Sequence, residues 1–346
     1  MKCFYHADAD GRCAGFWVLA KGVFEGDELG YFIEINYGKP FPLDIIQPNE
    51  VVYIVDYSIE PEEMIELLKI TQNVIWIDHH KTAIEKYADF PYRVKGLRKD
   101  GIAGCMLTYC FLNIMCDSTG EIIRPFDMWM TDSAPMFTKL IADWDVWKFE
   151  FGDDTRNFIT AFNAYDFAPN SNNWENFINR VDEDPNRNMY NDHYTMELIH
   201  QGAIMRLYRD HWAKEYCRTK GFEVELEGYK AYALNLGLCN SEYFKSIEYK
   251  EYDILMPFCF DGKLWVFSLY SKTIDVSEIA KRYGGGGHRG AAGFQMDYLP
   301  SFVDERLTRY ERFCGFDLAS GPAPEFMKKE FIIPVKNDEE LKKPQG

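Results

Sequence analysis

The sequence predicts an α/β protein in two parts: a mainly parallel-sheet domain followed by a smaller mixed-sheet α/β domain. Three observations carry this. Apolar runs alternate with helix-periodic segments through the first half, which implies parallel strands joined by right-handed crossovers. Three of the runs end in acidic or imidazole groups: Lys2-Cys3-Phe4-Tyr5 into His6-Ala7-Asp8-Ala9-Asp10, Val51 to Val55 into Asp56, and Val74-Ile75-Trp76-Ile77 into Asp78-His79-His80. Beyond Gly221 the texture changes to short strands, with Asp261-Gly262 as a hairpin turn.

Taken in order, 2–5 is a strand and 12–24 a helix that ends before Gly26. Residues 51–56 form a strand. Pro61-Glu62-Glu63 opens a helix to about 70, since proline suits the first turn and acids favour the positive dipole end. A strand at 73–78 follows, then a long apolar helix over 105–115 after Gly101-Ile102-Ala103-Gly104. Residues 134–149 and 155–167 read as helices, with polar breaks at 170–173 and 182–188. One long helix over 192–218 carries Leu198, Ile199, Met205, Leu207, Tyr208 and Trp212 as buried positions and connects the domains. Strands are expected at 223–226, 230–236, 254–260 and 264–269, and a helix at 276–283 before Gly284-Gly285-Gly286-Gly287-His288. The division is 1–190 for the first domain, 191–220 for the connecting helix, 221–320 for the second domain and 321–346 for a peripheral tail.

With 346 residues, 47% of them apolar, the chain can bury more than one core. No apolar stretch approaches the roughly 20 residues of a membrane helix. The amino terminus enters a strand without a signal peptide's cationic and apolar regions, and nine scattered cysteines read as reduced thiols, so a cytoplasmic location is expected. A net charge of −17 opposes the basic stripe that holds long nucleic acid and favours a short or small substrate. No membrane partner is expected, and a homodimer is left open.

In an open parallel sheet, ligands bind beyond the carboxyl ends of the strands. The acids and imidazoles delivered there should converge. Without thiolate ligands they do not suit structural zinc; mixed carboxylate and imidazole donors suit Mn²⁺, with Mg²⁺ or Co²⁺ as alternatives. So many acids in one pocket call for two cations, a common device for phosphate-ester hydrolysis. Asp143 and Asp145, in Ala142-Asp143-Trp144-Asp145, each offer a further carboxylate.

The glycine run exposes backbone amides able to cradle a phosphate, with His288 and Arg289 as added donors. Its other reading is steric: a turn and close packing around Ala291-Ala292-Gly293.

Together, His6-x-Asp8-x-Asp10-Gly11, Asp56, Asp78-His79-His80 and Ala142-Asp143 resemble the four motifs of the DHH phosphoesterase superfamily. Residues 284–294 resemble the signature of its DHHA1 domain, as do Ser268-Leu269-Tyr270-Ser271 and the segment 275–280. The resemblance spans roughly residues 2–296. It implies one metal held by His6, Asp8 and Asp56, and a second by Asp10, the bridging Asp56, His79 and Asp143. It further implies His80, Asp56 and Asp78 as catalytic residues, and Gly285, Gly286, Gly287, His288 and Arg289 as substrate-binding. The implied activity is two-metal hydrolysis of phosphodiester bonds in short oligonucleotides or small nucleotides. The rival readings are an exonuclease on longer single strands, an inorganic pyrophosphatase and a non-catalytic nucleotide sensor. The first motif has one residue between His6 and Asp8, where many small-substrate members have three. Tyr270 stands where relatives commonly carry arginine, either to stack on a base or to fill the core.

Overall fold

Strand β1 (Lys2–His6) shows why the first sheet forms. In the computed structural model, which describes residues 1–25, 30–117, 120–178, 192–247, 251–300 and 303, Cys3 and Tyr5 point to one face and Phe4 to the other, and all three are buried. Alternation onto two covered faces is what a parallel sheet with helices on both sides requires. After β1 come α1 (Ala9–Glu25), β2 (Tyr31–Ile35), β3 (Val52–Val55), α2 (Pro61–Ile70) and β4 (Val74–Ile77). The four strands are all parallel, in the order β2-β1-β3-β4.

Two cores follow from the alternation. Cys3, Tyr5, Val55 and Ile77 pack with Trp17 of α1 on one side, while Phe4, Val52, Ile54 and Trp76 pack with Met64 and Leu67 of α2 on the other. α2 starts as its sequence directs, with Pro61 in the first turn and the Glu60 amide donating to Glu63 Oε2 at 3.2 Å. Next come α3 (Lys81–Lys86) and α4 (Gly104–Cys110), which continues as a π-helical turn, Phe111–Met115. α5 (Met136–Asp145), α6 (Asp153–Phe162) and α7 (Asp192–Lys220) follow.

The structure corrects several expectations. β2 has no counterpart in the sequence reading. The helix expected over 134–149 stops at Asp145, because Trp147 and Phe149 both adopt the left-handed conformation, with φ of 56° each. The helix expected over 155–167 is Asp153–Phe162; Phe167 instead turns back to stack on Phe162, their rings 4.1 Å apart. In α7, Leu198 and Ile199 are buried as expected, but Leu207 and Tyr208 are about three-quarters exposed, and Met205 and Trp212 are also exposed. The polar break at 182–188 and the tail from 321 lie outside the described residues.

The chain divides into two compact units, Met1–Arg209 and Asp210–Gly346. The second unit contains β5 (Phe222–Leu226), β6 (Tyr229–Asn235), β7 (Ile254–Phe260), β8 (Trp265–Tyr270), α8 (Val276–Arg282), β9 (Gly286–His288) and β10 (Ala291–Met296). Its sheet runs β5-β6-β7-β8-β10-β9, with β6 and β7 parallel and the other pairs antiparallel. The Asp261-Gly262 turn joins β7 and β8 as expected, with Gly262 at φ 101° and Asp261 N donating to Leu264 O at 3.0 Å. Val276, Ile279 and Ala280 of α8 cover Phe258, Phe267 and Phe294. The eight described cysteines are free thiols, and among the described residues no helix is long and apolar enough to cross a membrane.

Candidate metal centre

Parallel register sets the site. Tyr5 pairs with Val55 and Val55 with Ile77, so β1, β3 and β4 end side by side and release His6, Asp56 and Asp78-His79-His80 at one edge of the sheet. Asp8 and Asp10 follow His6 at the start of α1. Close approach needs two glycines. A Cβ on Gly11 would stand 2.2 Å from His6 O, and one on Gly104 would stand 2.7 Å from Asp56 Cβ and Oδ1.

The resulting donor atoms fall into overlapping groups: His6, Asp8 and Asp56; Asp10, His79 and Asp145; and Asp56, Asp78, His79 and His80. His6 Nε2 lies 3.1 Å from Asn36 Oδ1. Donation to that amide oxygen leaves Nδ1 as the free lone pair. Nδ1 is 2.7 Å from Asp8 Oδ2 and 3.8 Å from Asp56 Oδ2, so a neutral ring presents its lone pair there and a protonated ring pairs with Asp8; burial opposes that charge, and Asp8 overcomes it and raises the His6 pKa. His79 Nε2 is 3.2 Å from Asp56 Oδ1, 3.3 Å from Asp145 Oδ2 and 3.7 Å from Asp10 Oδ2. Asp10 is anchored by the first amides of α4, accepting from Gly104 N at 2.6 Å and Cys105 N at 2.9 Å.

Hydrogen bonding is incomplete in this cluster. His6 Nδ1, both oxygens of Asp56, His79 Nε2 and Asp145 Oδ2 are buried without a hydrogen-bond partner. Buried polar groups are normally satisfied, so such a convergence needs an explanation. Ligand atoms sharing one ion at about 2.0–2.2 Å lie about 3–4 Å apart, which is the spacing seen. The donor set therefore fits divalent cations.

Electrostatics agrees. Burial, then the charges of Asp10, Asp8, Asp145 and Asp78, push the Asp56 carboxyl well above its usual range. Burial and the charges of Asp10, Asp8 and Asp78 do the same to Asp145. Asp56 also has φ of 52°, a left-handed backbone rare outside glycine, and such strain concentrates at functional sites.

Asp78 differs from these. It is fully buried, but it accepts from Ser58 Oγ, from His79 N at 2.8 Å and from His80 Nδ1 at 2.7 Å. Burial opposes its charge, yet the His80 and Ser58 hydrogen bonds win and hold it below its usual range. Burial likewise opposes a charge on His80, and the Asp78 hydrogen bond overcomes it and raises its pKa. Asp78 is thus placed to orient His80, whose ring lies 4.6 Å from that of His79.

The resemblance implied Asp143 as the fourth-motif ligand; the structure instead brings Asp145 into the cluster. Residues two apart on a helix point to nearly opposite sides, so only one can face it. Asp143 is otherwise occupied: Glu150 N donates to it at 2.8 Å, Phe151 N at 3.3 Å, and Thr155 Oγ1 donates as well. Asn36 and Ser58 went unread in the sequence, although Asn36 directly follows β2 and obeys the same strand-end rule. Lys81 is a surface residue, 3.9 Å from Glu85.

In the second unit the glycine run has a packing role. Gly284 and Gly285 close α8, with Gly284 N donating to Lys281 O and Gly285 N to Ala280 O, a Schellman cap with Gly284 at φ 78°. A Cβ on Gly285 would stand 2.0 Å from Gly293 O, and one on Gly287 2.6 Å from Ala292 Cα. Gly286 has open space beside it, and His288 and Arg289 are exposed. Tyr270 packs against the cluster around Leu255 and Phe244, its hydroxyl donating to Cys239 O at 3.3 Å, which is the core role.

No protein-family model matches the chain. An uncharacterized protein, R106, of Acanthamoeba polyphaga mimivirus is 27% identical over 272 residues, covering 75% of this chain and 55% of its own length. The chain thus spans about half the length of the curated relative it matches. Among solved structures, RecJ from Thermus thermophilus in complex with Mn²⁺ aligns with 91% of this chain and 52% of its own, at TM-score 0.50 and 15% identity. A pGpG-specific phosphodiesterase from Vibrio cholerae aligns with 90% of this chain and 97% of its own, at TM-score 0.43 and 14% identity.

Proposed function

We propose, from the premise that the chain has the fold of the DHH phosphoesterase superfamily with a DHHA1-type second unit, that it is a divalent-metal-dependent phosphoesterase. Its substrates are the phosphodiester bonds of short oligonucleotides or small nucleotides. The supporting observation is the set of buried, unpartnered donor atoms from His6, Asp56, His79 and Asp145 at the carboxyl edge of the parallel sheet. His6, Asp8 and Asp56 would hold one ion; Asp10, Asp56, His79 and Asp145 would hold the other. Mn²⁺ and Mg²⁺ both suit these oxygen and nitrogen donors. Bound there, such ions supply Lewis-acid activation of water and neutralise phosphoryl charge.

The chain's own residues do the rest. Asp78 fixes the His80 ring and favours its protonated form, so His80 can donate to a phosphoryl or leaving oxygen. Asn36 holds His6 in the tautomer that presents Nδ1. The α4 amides keep Asp10 in place. His288 and Arg289 are exposed donors for a substrate phosphate, while Gly285 and Gly287 preserve the hairpin that carries them.

The test is a substrate panel of dinucleotides, cyclic dinucleotides, a nucleoside bisphosphate, pyrophosphate and longer oligomers, with product chromatography. Mn²⁺ should switch on dinucleotide hydrolysis, and Asp56→Asn should return it to background while the fold persists. Turnover in chelator, or undiminished turnover by Asp56→Asn, refutes the reading.

A further inference from the structure

A cavity of about 610 Å³ lies in the first unit between the start of α4 and one side of α5. Its wall includes Gly101, Ile102 and Ala103. The next residue, Gly104, donates its amide to Asp10 and abuts Asp56. We propose that this cavity seats the nucleobase of the substrate whose phosphate is cleaved at the adjoining centre; this rests on the phosphoesterase reading above.

The lining decides the ligand class. Met106, Met128 and Met136 bring thioethers, and Trp129 and Phe151 bring rings, a surface suited to the faces of a flat heteroaromatic ring. Thr131, Asp132, Lys139, Asp143, Lys148 and Glu150 add donors and acceptors that can meet a base's polar edge. Rings and thioethers beside convergent polar groups, in a pocket of this size, are the make-up of a small-molecule site. An aliphatic chain would leave the charged edge unpaired.

The opposite wall holds a strained turn. Phe151 belongs to the segment that follows Asp145, where Trp147 and Phe149 both hold φ of 56°. Bulky residues rarely adopt this conformation, and it persists where surrounding contacts over-determine it. The contacts include Arg156 over the Phe149 ring at 3.8 Å and those of Asp143, which accepts from the amides of Glu150 and Phe151 and from Thr155 Oγ1. Asp143 therefore acts as a positioning residue for the cavity, on the same helix that delivers Asp145 to the metals.

Ligand-observed NMR on the full chain in EDTA, with adenosine and ribose as probes, tests this without any metal. Adenosine should bind with saturation on its base protons, and ribose should not. Trp129→Ala should weaken adenosine about tenfold, the weight of one aromatic stacking contact. Thr131→Trp, which fills the cavity, should do the same if Trp129→Ala fails to fold. Equal behaviour of adenosine and ribose, or adenosine binding untouched in both variants, overturns the base site. Loss of Mn²⁺-dependent turnover on every substrate, with base-selective binding intact, overturns the phosphoesterase reading and leaves the cavity assignment standing.

Discussion

Asp143→Ala and Asp145→Ala should fail in opposite ways, and the contrast separates a carboxylate that holds the protein together from one that waits for a cation. Asp143 is buried and accepts two close hydrogen bonds, from Glu150 N at 2.8 Å and from Thr155 Oγ1, and a longer one from Phe151 N at 3.3 Å. Bonds to a charged group are worth roughly 1.5–3 kcal/mol each. The two close ones give roughly 3–6 kcal/mol, and relief of the buried charge offsets part of that. A net loss of about 3 kcal/mol is expected. Asp145 Oδ2 lies 3.3 Å from His79 Nε2 but has no hydrogen bond to lose, and the charges of Asp10, Asp8 and Asp78 press on it, so Asp145→Ala in chelator should stay within about 1 kcal/mol of the parent. Mn²⁺ at a hundred times its Kd stabilises the parent by about 2.7 kcal/mol. If Asp145→Ala costs about a hundredfold in affinity, the same Mn²⁺ yields about 0.4 kcal/mol. Urea unfolding in EDTA and in Mn²⁺, followed by tryptophan fluorescence, measures both quantities. Should Asp143→Ala keep parental stability in EDTA and lose the Mn²⁺ increment while Asp145→Ala keeps it, the assignment of the two residues is reversed.

Two further changes probe the frame around the site. Gly104→Ala puts a Cβ 2.7 Å from Asp56 Cβ, so it should cost about 1–3 kcal/mol by overpacking and lower Mn²⁺ affinity about tenfold to a hundredfold; calorimetric Mn²⁺ titration with parental affinity would count against the packing described. Glu50 accepts from Lys2 Nζ at 2.7 and 2.8 Å and from Gln47 N at 3.0 Å. Burial opposes its charge, but Lys2 wins and lowers its pKa below the usual 4.5. Its stabilisation is therefore present above pH 4.5 and lost as pH falls through the lower folded value. Urea midpoints between about pH 3 and 6 should fall less steeply for Glu50→Gln than for the parent, and parallel curves would refute the pairing.

What could be read from the chain follows the strength of each local signal. His6, Asp8, Asp56 and His79 were legible because each closes or follows a strongly apolar, mostly buried run, and strand ends in a parallel sheet have one place to go. β2 was missed because its burial is weak: Tyr31 is 71% exposed and no residue of the strand is fully buried. With β2 went Asn36. The choice between Asp143 and Asp145 turns on which side of α5 faces the sheet, and Phe137, Leu140 and Ile141 place both at the margin of the buried stripe. The glycine run carries two readings. Close packing and anion binding both demand bare backbone, and spacing alone does not separate them; the Schellman cap and the contacts of Gly285 and Gly287 show the packing role, while Gly286 faces open space.

The buried aspartates sort themselves by who serves them. Asp78 has Ser58 and His80, Asp143 has Thr155 and two amides, and Asp10 has the first amides of α4. Protein donors meet each of them. Asp56 has no such donor on either oxygen, and Asp145 has none on Oδ2. An unpaired buried carboxylate is among the costlier things a fold can hold, and the usual escape is protonation. The imidazole atoms His6 Nδ1 and His79 Nε2 are turned toward the same space and also lack a hydrogen-bond partner. Donor atoms of two imidazoles and two carboxylates gathered in this way form an arrangement that divalent cations would satisfy. That protein donors meet every neighbouring aspartate and not these atoms is the ground of the metal site proposed above.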